Sequence, residues 1–268
     1  MSRAHRTKTP LTVSELVARL HEVTAQSRLL GDTVVVLCED GREYVEIAEV
    51  DLDQDEDGAV ILLKLAEERL FKFDELDEDA KEKAREWYRS GALDHEWWDS
   101  VYDLAVEAGK MLGIEIDSKK KHHGTGPAIY FNEHGAGFDG SYHYQKGALE
   151  KLRREWPATA KDGTACKGNV EMHEVAEALL EVQRKNQYKL GATISSHQDS
   201  DIRVDVWGYG GAPSAEADRD LAAALKSFAH WIHHTLQREE DYLLSDEQVD
   251  DMIQANEYTF TVDGTREG

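Results

Sequence analysis

Four stretches of the 268-residue chain carry side chains of types and spacings that could do chemistry. The densest is YFNEHGAGFDGSYHY, residues 130–144. His134, Asp139 and His143 offer acid–base groups, and Phe138 and Tyr142 offer rings beside them. Glycines at 135, 137 and 140 imply backbone turns that side chains would obstruct. With His197 from a later hairpin, these residues form a candidate pocket of the kind a hydrolase or nucleotide-binding protein would use. The plainer expectation is a strand-loop-strand with its Tyr and Phe packed into a sheet. A second set is His230, His233 and His234, where His230 and His234 are at the helical spacing that chelates metal. They fall opposite the apolar stripe Leu221, Leu225, Phe228, Ile232 and Leu236, and no carboxylate or cysteine in sequence completes a shell. A solvated face is therefore expected, and no metal.

The third set, Asp53-Gln54-Asp55-Glu56-Asp57-Gly58, matches the first half of a calcium loop. Lys64 stands where the bidentate glutamate belongs, so an acidic hairpin turn is expected instead. The fourth, KKKHHGTGP over Lys119–Pro127, could touch phosphate, since lysines beside a glycine-rich turn suit anions. A solvated loop is the expectation there. No P-loop, GxSxG, HExxH or CxxC occurs. No catalytic residue and no cofactor is assigned, and the chain is read as non-enzymatic.

Charge sorts the partners. The formal total is −23. Residues 1–38 carry a net +2, 39–79 a net −13, 80–235 a net −4 and 236–268 a net −8. Two acidic blocks thus flank a nearly balanced middle. Direct binding to a nucleic-acid backbone or to an anionic membrane is not expected. The first block supplies Asp51, Asp53, Asp55, Glu56 and Asp57, and the second Glu239, Glu240, Asp241, Asp246, Glu247, Asp250 and Asp251. Both are candidate partner-binding faces. No apolar run reaches the roughly 20 residues of a membrane span, and the polar N-terminus lacks a secretory apolar core. Cys38 and Cys166 make no disulfide framework, so the expected location is the cytoplasm.

The elements that position these groups follow from periodicity. Residues 1–10 read as a disordered basic tail. A small α-β-β-β module is expected over 11–66, with a helix at Val13–Gln26, strands at Val34–Cys38, Glu43–Val50 and Ala59–Leu63, and DLDQDEDG as an acidic loop. The main domain, 67–268, opens with a helix capped by Asp77 that carries Ala80, Ala84, Trp87 and Tyr88 inward. Helices near Asp94–Leu112, Asn169–Tyr188, Ala215–Glu239 and Asp246–Asn256 alternate irregularly with strands at Ile114–Ser118, Ala128–Phe131, Ser141–Gln145, Leu190–His197 and Ile202–Trp207. That irregularity predicts an α+β fold with a mainly antiparallel sheet.

FDELDEDAKEKAREWYR, the Trp97-Trp98 pair, IYFNEHGAGFDGSYHY, the Gln183–Leu190 stretch and SDEQVDDMIQANEYTFTVDG together resemble a phage and prophage family over about residues 70–265. Its members are commonly labelled antitoxin-like "toxin–antitoxin stability system" proteins. Here the central glycine-aromatic loop is shorter than in that family. Residues 11–63 resemble a separate small phage-type module. The resemblance carries no catalytic residues. It implies a protein of mobile-element origin. With the acidity, this leads to the expectation of an anti-defence inhibitor, such as an anti-CRISPR protein or nucleic-acid mimic, seated in the basic groove of a host nucleic-acid-processing protein. An antitoxin neutralising a basic toxin is the alternative.

Overall fold

The computed structural model describes residues 35–37, 44–55, 58–65, 70–121, 124–198 and 200–266. The chain divides into two compact units, Met1–Phe71 and Lys72–Arg266. In the smaller, β1 (Val35–Leu37), β2 (Tyr44–Asp55) and β3 (Gly58–Leu65) form an antiparallel sheet in that order. The expected basic tail and the helix at Val13–Gln26 lie outside the described residues, as do Glu56 and Asp57.

The acidic run is not a loop. It continues β2, with Asp51 opposite Leu62, Asp53 opposite Val60 and Asp55 opposite Gly58. The reason is legible in Val50-Asp51-Leu52-Asp53-Gln54-Asp55, whose aspartates recur at every second position, set between Val50, Leu52 and Gln54, with the period of a strand. The apolar β-former AVILL of β3 supplies the ladder that aspartates alone would not support. Asp53 and Asp55 are therefore ladder residues, which removes the calcium-loop geometry.

The larger unit is α+β. Its central sheet is antiparallel, ordered β11 (Asp201–Gly208), β10 (Leu190–His197), β9 (Gly140–His143), β4 (Ile114–Ile116). Two hairpins sit between β4 and β9: β5 (Ser118–Lys121) with β6 (Gly124–Pro127), and β7 (Ile129–Asn132) with β8 (Gly135–Phe138). Lys119–Lys121 and Gly124–Pro127 of KKKHHGTGP are thus paired strands rather than loop. Lys119 is committed there, its Nζ donating to the Ile129 carbonyl at 2.6 Å and lying 3.6 Å from the Tyr130 ring centre. That contact takes it out of any phosphate site.

Helices α1 (Glu78–Ala92), α2 (Asp99–Leu112), α3 (Ala148–Glu155), α4 (Lys167–Lys185), α5 (Ala215–Leu243) and α6 (Asp246–Ala255) complete the unit among the described residues. Asp77 caps α1 by accepting from the Ala80 N–H at 2.9 Å, and Ser214 and Ser245 cap α5 and α6 in the same way. The apolar stripe of α5 is the centre of the core. Leu221, Leu225, Phe228 and Ile232 are fully buried, and Phe228 meets Phe138 edge-on with ring centres 5.5 Å apart.

Helix α1 departs from the expected pattern. Ala80 and Ala84 are buried, but Trp87 is 37% exposed, edge-on to Tyr258 and Phe260. The chain's last described turn folds back onto this helix. Gly264, at φ +81°, sits where a Cβ would fall 2.1 Å from the Ala80 carbonyl oxygen. Lys83 binds Asp263, and Arg266 lies over the Trp87 and Tyr258 rings at 5.7 and 5.2 Å. The Lys83 ammonium and the hydroxyls of Thr261 and Thr265 hold the Asp263 carboxyl well below the usual range.

Candidate functional site

The glycine-aromatic run is built for packing. Phe138 and Tyr142 are core residues. Gly135, Gly137 and Gly140 all have ordinary negative-φ strand geometry and are not turns. They are small because other backbone lies against them. A Cβ would fall 2.2 Å from the Ser200 carbonyl oxygen at Gly135, 2.5 Å from that of Asp201 at Gly137 and 2.1 Å from that of Glu115 at Gly140. Asp139 is a bracket between strands. One carboxylate oxygen accepts from the Ser196 N–H at 2.7 Å, the other from the Tyr130 hydroxyl at 3.2 Å.

The remaining members of the expected pocket are dispersed. His134 is at an exposed hairpin tip beside Glu133. His143 pairs with Gly191 on β10, and His197 lies six residues further along that strand. At about 3.3 Å per residue the two are roughly 20 Å apart. The His143 ring rests edge-on against Trp207, its Nδ1 3.5 Å from the Tyr209 hydroxyl. His134, Phe138, Asp139, Tyr142, His143 and His197 do not share one site.

The acidic C-terminal face is partly spent inside the molecule. Asp250 accepts two hydrogen bonds from Arg85 at 2.7 and 2.8 Å, and Asp246 accepts from Arg89. These contacts pin α6 to α1, and the Asp250 carboxylate pushes the Arg85 guanidinium further up its already high range. Glu239 and Glu240 are half-buried, while Asp241, Glu247 and Asp251 face solvent. On α5, His230 and His234 are exposed, as their place opposite the apolar stripe predicts. A carboxylate does reach His234, but from another helix: Glu171 of α4 lies 3.7 Å from it and is shared with Arg238 at 3.3 Å. No group of three His, Cys, Asp or Glu that could hold a metal occurs among the described residues.

A cavity with a mixed apolar, aromatic and cationic lining lies elsewhere. It has a volume of about 530 Å³ and is bounded by the end of β9, the start of α3 and the C-terminal turns of α4. Leu112, Leu149, Leu179 and Tyr142 line its depth, and Tyr144, Lys146, Arg184 and Tyr188 its mouth. Burial raises the Tyr142 phenol to about 12, so it is protonated at neutral pH. Burial, then the neighbouring Tyr188 and Glu150, raise Tyr144 as well.

Position at the mouth is set by Gln183, the one fully buried polar side chain among the described residues. Its Nε2 donates to the Leu190 carbonyl at 2.8 Å, and its Oε1 accepts from the Leu190 N–H at 3.3 Å. Its own carbonyl accepts from the Tyr188 N–H at 2.7 Å. This clamp holds Gln187 and Tyr188 at φ +57° and +60°, left-handed values unusual for residues with side chains. Tyr188 is thereby laid over Tyr144, ring centres 4.7 Å apart and planes tilted by 35°. Nothing in the sequence pairs residues 144–146 with 184–188; only the fold joins them.

The class these observations define is an α+β protein with an antiparallel sheet and a tyrosine-rimmed cavity. Residues 97–246 match a domain of unknown function, DUF8835, and the chain belongs to that family. The matched span takes in α2 through α5 and every residue lining the cavity. No curated protein and no solved structure matches the chain. No helix among the described residues is long and apolar enough to cross a membrane.

Proposed function

We propose that the chain is a non-enzymatic, phage-type inhibitor that occupies the basic groove of a host nucleic-acid-processing protein in the cytoplasm. The observation that carries this reading is the register of β2. Asp51, Asp53 and Asp55 are alternate residues on one face of a paired strand. Alternate residues are spaced about 6.6 Å apart, so the row has roughly half the linear charge density of one DNA strand, at about one charge per 3.4 Å. Such a row, fixed by the ladder to Gly58–Leu65, steers toward a basic surface at little ordering cost. Glu247 and Asp251 offer a second exposed set.

Because Asp246 and Asp250 hold Arg89 and Arg85, reversing them tests folding rather than binding. The informative variant is D51K/D53K/D55K, set against E247K/D251K, in a pull-down from the host followed by titration of the captured effector. Binding should weaken at least tenfold in the first variant and fall as salt rises. If inhibition survives both the triple reversal and high salt, the electrostatic reading is wrong. Capture of a toxic partner encoded beside the chain would identify the antitoxin alternative instead.

A further inference from the structure

We infer that the cavity rimmed by Tyr144 and Tyr188 is a binding site for a nucleoside monophosphate. Its volume of about 530 Å³ is within the roughly 300–1,000 Å³ of small-molecule sites. The lining is divided as such a ligand is divided. The apolar depth and the tyrosine pair at the mouth suit a planar ring, which stacks on aromatic faces whatever its hydrogen-bonding edge. Lys146 and Arg184 suit an anion, the guanidinium fork in particular matching phosphate oxygens.

Two further observations make the mouth a ligand clamp rather than a surface dent. Consecutive left-handed backbone at Gln187 and Tyr188 is held by Gln183, whose carbonyl accepts from the Tyr188 N–H and whose side chain bonds both backbone groups of Leu190. Such over-determined strain gathers where a structure must hold a side chain for a ligand. What it holds is Tyr188, a large aromatic left 46% exposed beside the opening. The two cations are also uncommitted, since among the described residues neither Lys146 nor Arg184 is ion-paired, whereas the next basic residue of α4, Lys185, binds Glu181 at 3.0 Å. Charge selects the number of phosphates. Glu150 also lines the cavity, so Lys146 and Arg184 against Glu150 leave its lining a single net positive charge. One phosphate monoester, at about −1.5 to −2, already exceeds that charge, and the further phosphates of a triphosphate add only uncompensated negative charge.

The site shares no residue with the acidic faces proposed to bind a partner, so either reading can fail alone. Isothermal titration and tyrosine fluorescence of the full chain should be run with AMP, UMP, adenosine, inorganic phosphate and ATP. AMP should bind at least tenfold more tightly than adenosine or phosphate, and ATP more weakly than AMP. R184A and Y188A, both at exposed positions, should each weaken AMP at least tenfold with unchanged melting temperature. K146Q supplies the same test should R184A melt early. K161A, which removes an exposed lysine outside the cavity, should bind as wild type. No heat or fluorescence change with millimolar AMP or UMP overturns the assignment. So do equal affinities for AMP and adenosine, tighter binding of ATP than AMP, or folded R184A, K146Q and Y188A variants that bind normally.

Discussion

The glycine-aromatic run over 134–143 and the tyrosine-rimmed cavity meet at Tyr142, yet they are opposite kinds of structure. In the first, glycines and aromatics are dense because backbones touch: Gly135, Gly137 and Gly140 lie against the carbonyls of Ser200, Asp201 and Glu115. In the second, no residue type is unusual, and the distinctive features are two left-handed residues and two cations with no ion pair among the described residues. Dense composition marks close packing here, whereas the open volume is found where ordinary side chains from distant segments fail to fill a corner.

The largest expected effect breaks the packed side of this comparison. G140A puts a Cβ 2.1 Å from the Glu115 carbonyl oxygen, between two strands that cannot separate without losing the β4–β9 ladder. A loss of about 3 kcal/mol or more is expected, read in urea unfolding. Wild-type stability in G140A would mean that the strands yield and that the glycine is not required for packing.

Q183A addresses the other side. It strands the Leu190 N–H and carbonyl in a buried site, at a cost of about 1–3 kcal/mol. Its distinguishing sign is local: amide exchange at residues 186–190 should accelerate more than exchange in β10. Uniform acceleration would show that Gln183 supports the whole fold rather than the Tyr188 turn.

A pH effect of smaller size separates the hairpin tip from the cavity. Burial lowers the His233 imidazole below its ordinary value, against an opposing hydrogen bond with the Asn132 backbone of the β7–β8 hairpin. A depressed folded value means that its contribution is complete above the unfolded value of about 6.5. The contribution is lost as pH falls from there through the folded one. The melting temperature should therefore drop between pH 7 and pH 5, and H233Q should reduce that drop. The smallest effect is H134A, at an exposed tip, expected within about 0.5 kcal/mol of wild type and without change in AMP binding. A large loss in either would restore the run as a site.

Much of the architecture is legible from periodicity. The α+β class, the β10–β11 hairpin, the Asp77 cap and the buried stripe of α5 all follow from local spacing. What is not legible depends on distant partners. Asp250 and Asp246 read as free acids because Arg85 and Arg89 are 165 and 157 residues away. Asp51, Asp53 and Asp55 read as loop on composition, although their alternation with Val50 and Leu52 carries the strand signal. Tyr144 and Tyr188 give no sign of meeting, since neither φ nor ring orientation is written in residue type. The glycines misled for a related reason: a missing side chain is needed equally by a turn and by a close approach, and only neighbouring backbone distinguishes them.

The return of the C-terminal turn onto α1 gives the larger unit a seam. Gly264 against Ala80, Lys83 with Asp263 and Arg266 over Trp87 bring its first and last segments side by side. Topologically the unit is nearly a closed ring of chain, with entrance and exit at one point. A short linker from Arg266 to Lys72 would close that ring, and the exposed Gly210-Gly211 bend between β11 and α5, both glycines at positive φ, offers a place to reopen it. A circular permutant of the unit opened at Gly210-Gly211 is therefore expected to keep its sheet, its helices and its tyrosine cavity together.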